Sequence, residues 1–188
     1  MTATRFAQTR LPGGLLAHFE GLAARLAGWT PALLGTGGRL VFAAVLAGHF
    51  WRSALTKIEG FGLSSGAYAQ IFPGAMERAG YDTSRLGPLA DLVVAAGTLA
   101  EFLLPLLLIV GAFTRLAALG MIGFIVVMSL TDIFGHGLDA ESIGALFDRR
   151  PDALIFDQRL LWIWLLTCLA VTGAGPVSLD RFIFRRRA

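Results

Sequence analysis

Three long stretches of this chain are almost free of charged side chains, and this feature limits the possible folds more than any other. They cover Leu89–Gly111, Leu116–Leu130 (extendable to Phe134) and Leu160–Ala174. A helix needs about 20 residues to cross the roughly 30 Å hydrocarbon core of a bilayer, so each stretch predicts a membrane-spanning helix. A fourth stretch, Arg39–Lys57, has a shorter apolar part and contains His49 and Arg52. It is predicted to span only within a bundle, with both of its end residues snorkelling outward.

The composition supports a membrane protein and argues against several other classes. Of the 188 residues, 55% are hydrophobic and 15% are charged, whereas a soluble domain has roughly 25% charged residues. A disordered chain, a nucleic-acid-binding module and an ordinary cytosolic enzyme are therefore disfavoured. The basic residues are nearly all arginines that flank the apolar stretches, as topology signals do. The one cysteine, Cys168, excludes an intramolecular disulfide and a paired-cysteine redox or metal site.

The first 38 residues predict a helix that lies in the membrane interface. Arg5 and Arg10 could begin a signal peptide, but His18, Glu20 and Arg25 interrupt the apolar segment that should follow. Apolar residues instead recur at near-helical spacing, which is typical of an amphipathic interfacial helix. They are Leu15, Leu16, Phe19, Leu22, Leu26 and Trp29. A partly disordered leader is the alternative.

The predicted fold is an all-α integral membrane bundle of four transmembrane helices with an N-terminal amphipathic interfacial helix. It divides into a cytoplasmic or interfacial leader (1–38), a membrane domain (39–182) and a basic cytoplasmic tail (183–188). Four crossings put both termini on the same side of the membrane. The arginine-rich tail and Arg115, which lies in a very short turn, place that side in the cytoplasm. Loops 60–88 and 131–159 are then on the opposite side.

Glu101 is the leading candidate for a functional residue. It lies near the middle of the second apolar stretch, roughly 15 Å from the cytoplasmic boundary at 1.5 Å per residue. An ionisable residue at that depth is expected to face the bundle and to have a partner. Pro105 cannot donate to the Glu101 carbonyl, which leaves a free carbonyl beside the carboxyl group. Either Glu101 handles protons or binds a ligand, or it is a protonated or salt-bridged packing residue.

His49 is the predicted partner of Glu101. Counted from Arg39, it lies about 15 Å deep, at the level of Glu101. If the first two helices are adjacent, as consecutive elements often are, the two side chains can meet and share a proton. The alternative is a core histidine that is hydrogen-bonded to a backbone carbonyl.

A second polar cluster is predicted at the outer rim of the bundle, where the spans end on the side opposite the termini. It consists of Arg52, Lys57, Asp91, Asp132 and His136. These residues form either a salt-bridge network that stabilises the bundle or, through Arg52 and Lys57, a site for an anion or a quinone carbonyl. A metal site is disfavoured because the three histidines are far apart and lack ligand spacing.

Several motifs together resemble the DoxX family of small bacterial integral membrane proteins, over roughly residues 38–182. The motifs are Gly38-Arg39-Leu40, the Lys57-containing segment from Leu55 to Phe61, the segment AEFLLPLLLIVGAFTRLAAL and the terminal GAGPVSLD at Gly173–Asp180. The resemblance implies a four-helix bundle in the bacterial cytoplasmic (inner) membrane and a link to redox chemistry, since relatives form the membrane part of a thiosulfate:quinone oxidoreductase. Some redox-associated relatives carry paired cysteines, and this chain departs from them with Cys168 alone.

The resemblance makes a membrane redox component the first functional hypothesis. The chain has no motif for haem, flavin or an iron–sulfur cluster, so no cofactor is intrinsic. A bound quinone or a redox partner protein would have to supply the electron chemistry, and the chain would at most be a subunit of a quinone-linked oxidoreductase. One alternative is a membrane anchor or assembly subunit for a partner protein. Another is a small-solute or proton transporter, which needs a homo-oligomer because a single four-helix bundle packs its own centre. The lipid bilayer is a partner in every case, and nucleic acid is in none.

Overall fold

The four apolar stretches form four helices of membrane-spanning length in the computed structural model, which describes residues 13–184. The four spans are Ala17–Thr56, Pro88–Val110, Thr114–Gly135 and Leu154–Thr172. Each span contacts the next one along the chain, and the fourth packs against the first. The predicted all-α membrane bundle is therefore confirmed, and the protein is a multi-pass membrane protein. The predictions for Arg5 and Arg10 and for residues 185–188 lie outside the described residues, as do the side chains of Leu15 and Leu16.

Two connections lie at one end of the bundle, called here the loop end; the opposite end is the terminal end. The first connection begins with a short antiparallel hairpin, in which β1 (Ile58–Glu59) pairs with β2 (Gly62–Leu63). The remaining short helices in residues 13–184 are Ser65–Ile71, Pro73–Arg78, a 3₁₀ turn at Thr83–Arg85, Ala140–Ile143 in the second connection, and Leu179–Phe184 after the fourth span.

The leader and the first span form one continuous helix, and no turn separates them within residues 13–56. The helix contains two π-helical segments, Pro31–Gly37 and Ala43–Ala47. Glycines near the predicted boundary allow close packing rather than ending the helix: a Cβ on Gly35 would lie 2.5 Å from the backbone nitrogen of Gly175. At 1.5 Å per residue, Ala17–Thr56 is about 60 Å long, twice the hydrocarbon thickness. The predicted leader helix is thus present as an extension of the first span.

A single apolar core holds the four spans together. Its residues come from every span; eight have large apolar side chains and three are alanines. They are Phe42, Leu46, Ala47, Phe50, Leu108, Ala117, Ala118, Met121, Ile125, Leu166 and Leu169. A smaller cluster that includes Tyr68, Met76 and Val94 packs the loop-end helices against the start of the second span.

At the terminal end, Arg39 joins three parts of the chain. Its side chain is buried, with the residue only 7% exposed. The guanidinium donates hydrogen bonds to the carbonyls of Leu108 (2.8 Å) and Ile109 (2.6 Å) in the second span, and to those of Ala174 (2.8 Å) and Val177 (2.6 Å) after the fourth. Helix C-termini leave carbonyls without intrahelical partners, and a cation is favourable there. The prediction that Arg39 snorkels outward is therefore wrong.

The terminal motif GAGPVSLD caps two helices. The Ser178 hydroxyl accepts a hydrogen bond from the Arg181 backbone N–H at 3.2 Å, at the start of the tail helix. Asp180 caps the third span, since its carboxylate accepts from the backbone N–H groups of Phe113 (2.6 Å) and Thr114 (2.9 Å). A carboxylate at a helix N-terminus is favoured by the free N–H groups and the helix dipole.

Candidate functional site

A buried ion pair joins the first connection to the middle of the second span. The Lys57 ammonium donates to both carboxylate oxygens of Glu101, at 2.9 Å (Oε1) and 2.8 Å (Oε2). The two side chains are only 5% and 3% exposed. Lys57 was predicted to snorkel outward at the rim, and the structure corrects this: its long side chain turns into the bundle because an ionised carboxylate there needs a counter-charge.

Ser53 is hydrogen-bonded to both partners of this ion pair. The Lys57 ammonium donates to the Ser53 hydroxyl at 2.8 Å, and the hydroxyl donates to Glu101 Oε1 at 3.1 Å. Ser53 lies four residues before Lys57, and His49 lies four residues before Ser53. Since residues four apart lie on the same face of a helix, the first span presents all three side chains toward the same region.

A second ion pair forms near the loop end between the third and fourth spans. Arg159 Nη2 donates to Asp132 Oδ2 at 2.5 Å, and Nη1 donates to the Ser129 hydroxyl at 3.0 Å. The Arg159 side chain is 6% exposed, and its buried Nε–H has no acceptor among the described residues. The sequence placed Arg159 in a loop, but the fourth span begins at Leu154. The apolar Leu154-Ile155-Phe156 was the signal that the helix starts earlier.

Both ion pairs line one cleft of about 560 Å³. Its walls are faces of the second and third spans, and its inner side is formed by side chains of the first and fourth spans together with the Glu101 and Asp132 carboxylates. Five of the six predicted site residues line it: His49, Lys57, Glu101, Asp132 and His136. Arg52, the sixth, is exposed and borders a different, shallow groove on the first span. The sequence therefore identified most of the ionisable lining but missed Arg159 and the uncharged polar residues Ser53, Gln70 and Thr131.

His49 is held by aromatic rings. Its imidazole packs edge-on against Phe50, with centroids 5.2 Å apart, and at a tilt against Trp162, 5.4 Å away. Glu101 is instead bound by Lys57 and Ser53, and no hydrogen bond joins it to His49 in residues 13–184. The two residues share the cleft without forming the predicted contact.

The loop end of the cleft is covered by the first connection. Gln70 and His136 both line the cleft, and the His136 Nε2–H donates to the Gln70 carbonyl at 3.0 Å. The helix that carries Gln70 is anchored by the Tyr68 hydroxyl, which donates to Asp91 Oδ1 at 2.6 Å. This hydrogen bond raises the pKa of Tyr68, and burial and the Asp91 charge raise it further. Because this helix closes the loop end, the cleft is open at its side.

The open side lies between the second and third spans at membrane depth. The two helices are close where Gly120 faces Leu104, since a Cβ on Gly120 would lie 3.1 Å from Leu104 Cδ2. From there toward the loop end, small residues leave space between the helices; Ala96, Gly97, Ala100 and Gly123 line this part. Val127 also lines the cleft and is 63% exposed. The cleft therefore opens sideways, toward the hydrocarbon.

One family model matches the chain. It is described as DoxX, and it matches residues 37–132, just over half of the sequence. The matched region contains Arg39, Lys57, Glu101 and Asp132, whereas Arg159 lies beyond it. No curated protein and no solved structure matches the chain significantly.

Proposed function

The chain belongs to the DoxX family, and from this membership and the geometry of the cleft we propose that it is the membrane component of a redox system and that the cleft binds a quinone. The observation that carries the proposal is a cleft that opens toward the hydrocarbon and is lined on its inner side by two buried ion pairs. A lipid-soluble ligand can enter such a cleft without passing through water.

The residues of the cleft fit a quinone in size and polarity. Its volume of about 560 Å³ lies within the roughly 300–1,000 Å³ that is usual for small-molecule sites. Its mouth is apolar, with Val93 and Val127, and suits an isoprenoid tail. Its inner side is polar and suits a head group with carbonyl oxygens. A bound quinone would supply the electron- and proton-carrying chemistry that this chain lacks.

The chain's own contribution to such a site is binding and proton supply. Glu101 and Asp132 are carboxylates on the inner side of the cleft, each held by a cation. The Ser53 hydroxyl bonds to both partners of the Lys57–Glu101 pair and can pass a proton between them. Intramembrane carboxylates with polar neighbours are the usual parts of proton relays. Glu101 is therefore the proposed proton-handling residue.

Filling the cleft should remove the quinone. Gly123 lines the cleft, and a Cβ there would meet nothing within 4 Å, so Gly123→Phe adds bulk to the cleft without a backbone clash. Protein purified in mild detergent from bacterial membranes that contain quinones is expected to carry about one quinone per chain. Gly123→Phe should reduce this content at least about tenfold, because the ring occupies the ligand's volume. Solvent extraction followed by mass spectrometry measures the content.

Leu116→Phe is the matched control. Leu116 is on the same span two turns nearer the terminal end, is exposed, and does not line the cleft. The Leu116→Phe variant should therefore have the same quinone content as wild type. Wild-type protein without quinone would overturn the proposal and favour an anchoring role. Equal quinone content in Gly123→Phe and wild type would show that any quinone binds elsewhere.

We also infer that the chain lies in the bacterial cytoplasmic membrane with its terminal end in the cytoplasm. Arg115 lies at the start of the third span, directly after the short turn at the terminal end, and basic residues beside short connections favour the cytoplasmic side. In a Cys168→Ala background, Arg149→Cys at the loop end should react with a membrane-impermeant maleimide in spheroplasts. Gly21→Cys at the terminal end should react only after permeabilisation. The opposite labelling pattern would reverse the inferred orientation.

A further inference from the structure

We propose that Arg159 and His49 bind the carbonyl oxygens of the quinone head group, which orients the ring on the inner side of the cleft. This inference rests on the proposed function, because it assigns contacts within the same site. Both side chains line the cleft, and both retain hydrogen-bonding capacity that the described residues do not use.

Arg159 has a hydrogen-bond donor, its Nε–H, that no residue in the described part of the chain uses. Its two terminal nitrogens are bound by Asp132 and Ser129, which fix the plane of the guanidinium. Its Nε–H is buried and has no acceptor in the described part of the chain. A buried donor without an acceptor is destabilising, so an acceptor brought by a ligand relieves that penalty. A quinone carbonyl is such an acceptor, and it is neutral, which suits a guanidinium already paired with Asp132.

His49 offers a second group beside the first. Its ring is fixed by Phe50 and Trp162, and no hydrogen bond to either ring nitrogen is formed within residues 13–184. Trp162 follows Arg159 by three residues on the fourth span, so the ring that fixes His49 is on the same side of that helix as Arg159. The two groups therefore face the cleft from adjacent positions.

The other polar residues of the cleft are less suited to this role. Lys57 has three N–H donors, and the two oxygens of Glu101 and the hydroxyl of Ser53 occupy them. His136 uses its Nε2–H on the Gln70 carbonyl. Glu101 and Asp132, when ionised, only accept hydrogen bonds and would repel a carbonyl oxygen. Among the ionisable side chains of the cleft, Arg159 and His49 therefore remain as donors.

The test compares two ligands on the full-length protein in nanodiscs: a short-tailed ubiquinone and an analogue with the same tail but no carbonyl groups. Binding is followed by quenching of tryptophan fluorescence, since Trp162 lies beside His49. Arg159→Lys keeps the cation that pairs with Asp132 but lacks the Nε–H. His49→Phe keeps the ring contacts but lacks the ring nitrogens. Each variant should weaken ubiquinone binding about tenfold and leave analogue binding unchanged, since one hydrogen bond is lost.

His18→Phe and Arg25→Lys are matched controls, because both residues are exposed on the first helix outside the cleft, and they should bind both ligands like wild type. Equal weakening of both ligands in Arg159→Lys and His49→Phe would indicate distortion of the cleft and would overturn the carbonyl contacts. Unchanged ubiquinone binding in both variants would also overturn the proposed carbonyl contacts, while the proposed function would stand. Failure of the wild type to bind ubiquinone would overturn the proposed function itself.

Discussion

Replacing Lys57 with methionine is expected to lower the free energy of unfolding by about 3–5 kcal/mol, because it leaves the buried Glu101 carboxylate without its cation. Of the groups in residues 13–184 that bind this carboxylate, only the Ser53 hydroxyl would remain. Methionine matches the lysine stem in length, so the loss of packing is small. Titration with a denaturing detergent, followed by helical circular dichroism in micelles, measures the difference from wild type.

The double variant Lys57→Met/Glu101→Leu separates charge from packing. Because both charges are then absent, its stability should return to within about 1 kcal/mol of wild type or exceed it. Arg150→Met is the control for charge removal in general: it breaks the exposed Arg150–Glu141 pair and should change stability by less than about 1 kcal/mol. A double variant as unstable as Lys57→Met would contradict this account of the pair.

The spans and Glu101 could be predicted because both depend on one strong physical rule. Apolar length predicts a crossing, and an ionisable residue inside it predicts an inward-facing site. The partner of Glu101 could not be found by the same means. Counting depth along straight helices gave His49, but the lysine side chain is long enough to reach from the end of the first span to the middle of the second.

Arg159 was missed because polar residues interrupt the first turns of the helix that carries it. Asp157, Gln158 and Arg159 break the apolar pattern, so hydropathy placed the start of the span too late, at Leu160. In the structure, Asp157 accepts a hydrogen bond from the Ala153 backbone N–H at 2.8 Å, as a capping carboxylate does. The ion pair with Asp132 then makes burial of Arg159 tolerable. Pairing across spans is a tertiary property, and no local pattern encodes it.

The roles of the terminal-end motifs also needed the structure. The glycine before the short turn, Gly111, has a positive φ of 68°, and a Cβ there would lie 2.6 Å from Arg39 Cζ. Gly175 follows the end of the fourth span, and a Cβ there would lie 2.5 Å from the Thr36 backbone nitrogen. Segments far apart in the sequence therefore meet around Arg39, which joins the motifs into one structural unit.

Replacing Arg39 with methionine is expected to lower the free energy of unfolding by about 3–5 kcal/mol. Four carbonyls, two from the second span and two from the segment after the fourth, lose their donor together. A buried polar group without a partner is destabilising by about 1–3 kcal/mol. Because local relaxation and water provide new partners for some of the four carbonyls, the expected total is less than four times this cost. The same detergent titration measures the loss, with no change expected in the number of quinones bound per folded chain.

Arg39→Lys tests whether the geometry or the charge matters. An ammonium is compact and has three donors, whereas the planar guanidinium reaches both segments at once. Lysine should therefore recover less than half of the lost stability. Arg115→Met, at an exposed arginine of the same end, should change stability by less than about 0.5 kcal/mol. If Arg39→Lys is as stable as wild type, charge alone stabilises the terminal end, and the four directional hydrogen bonds are not what joins the second span to the end of the fourth.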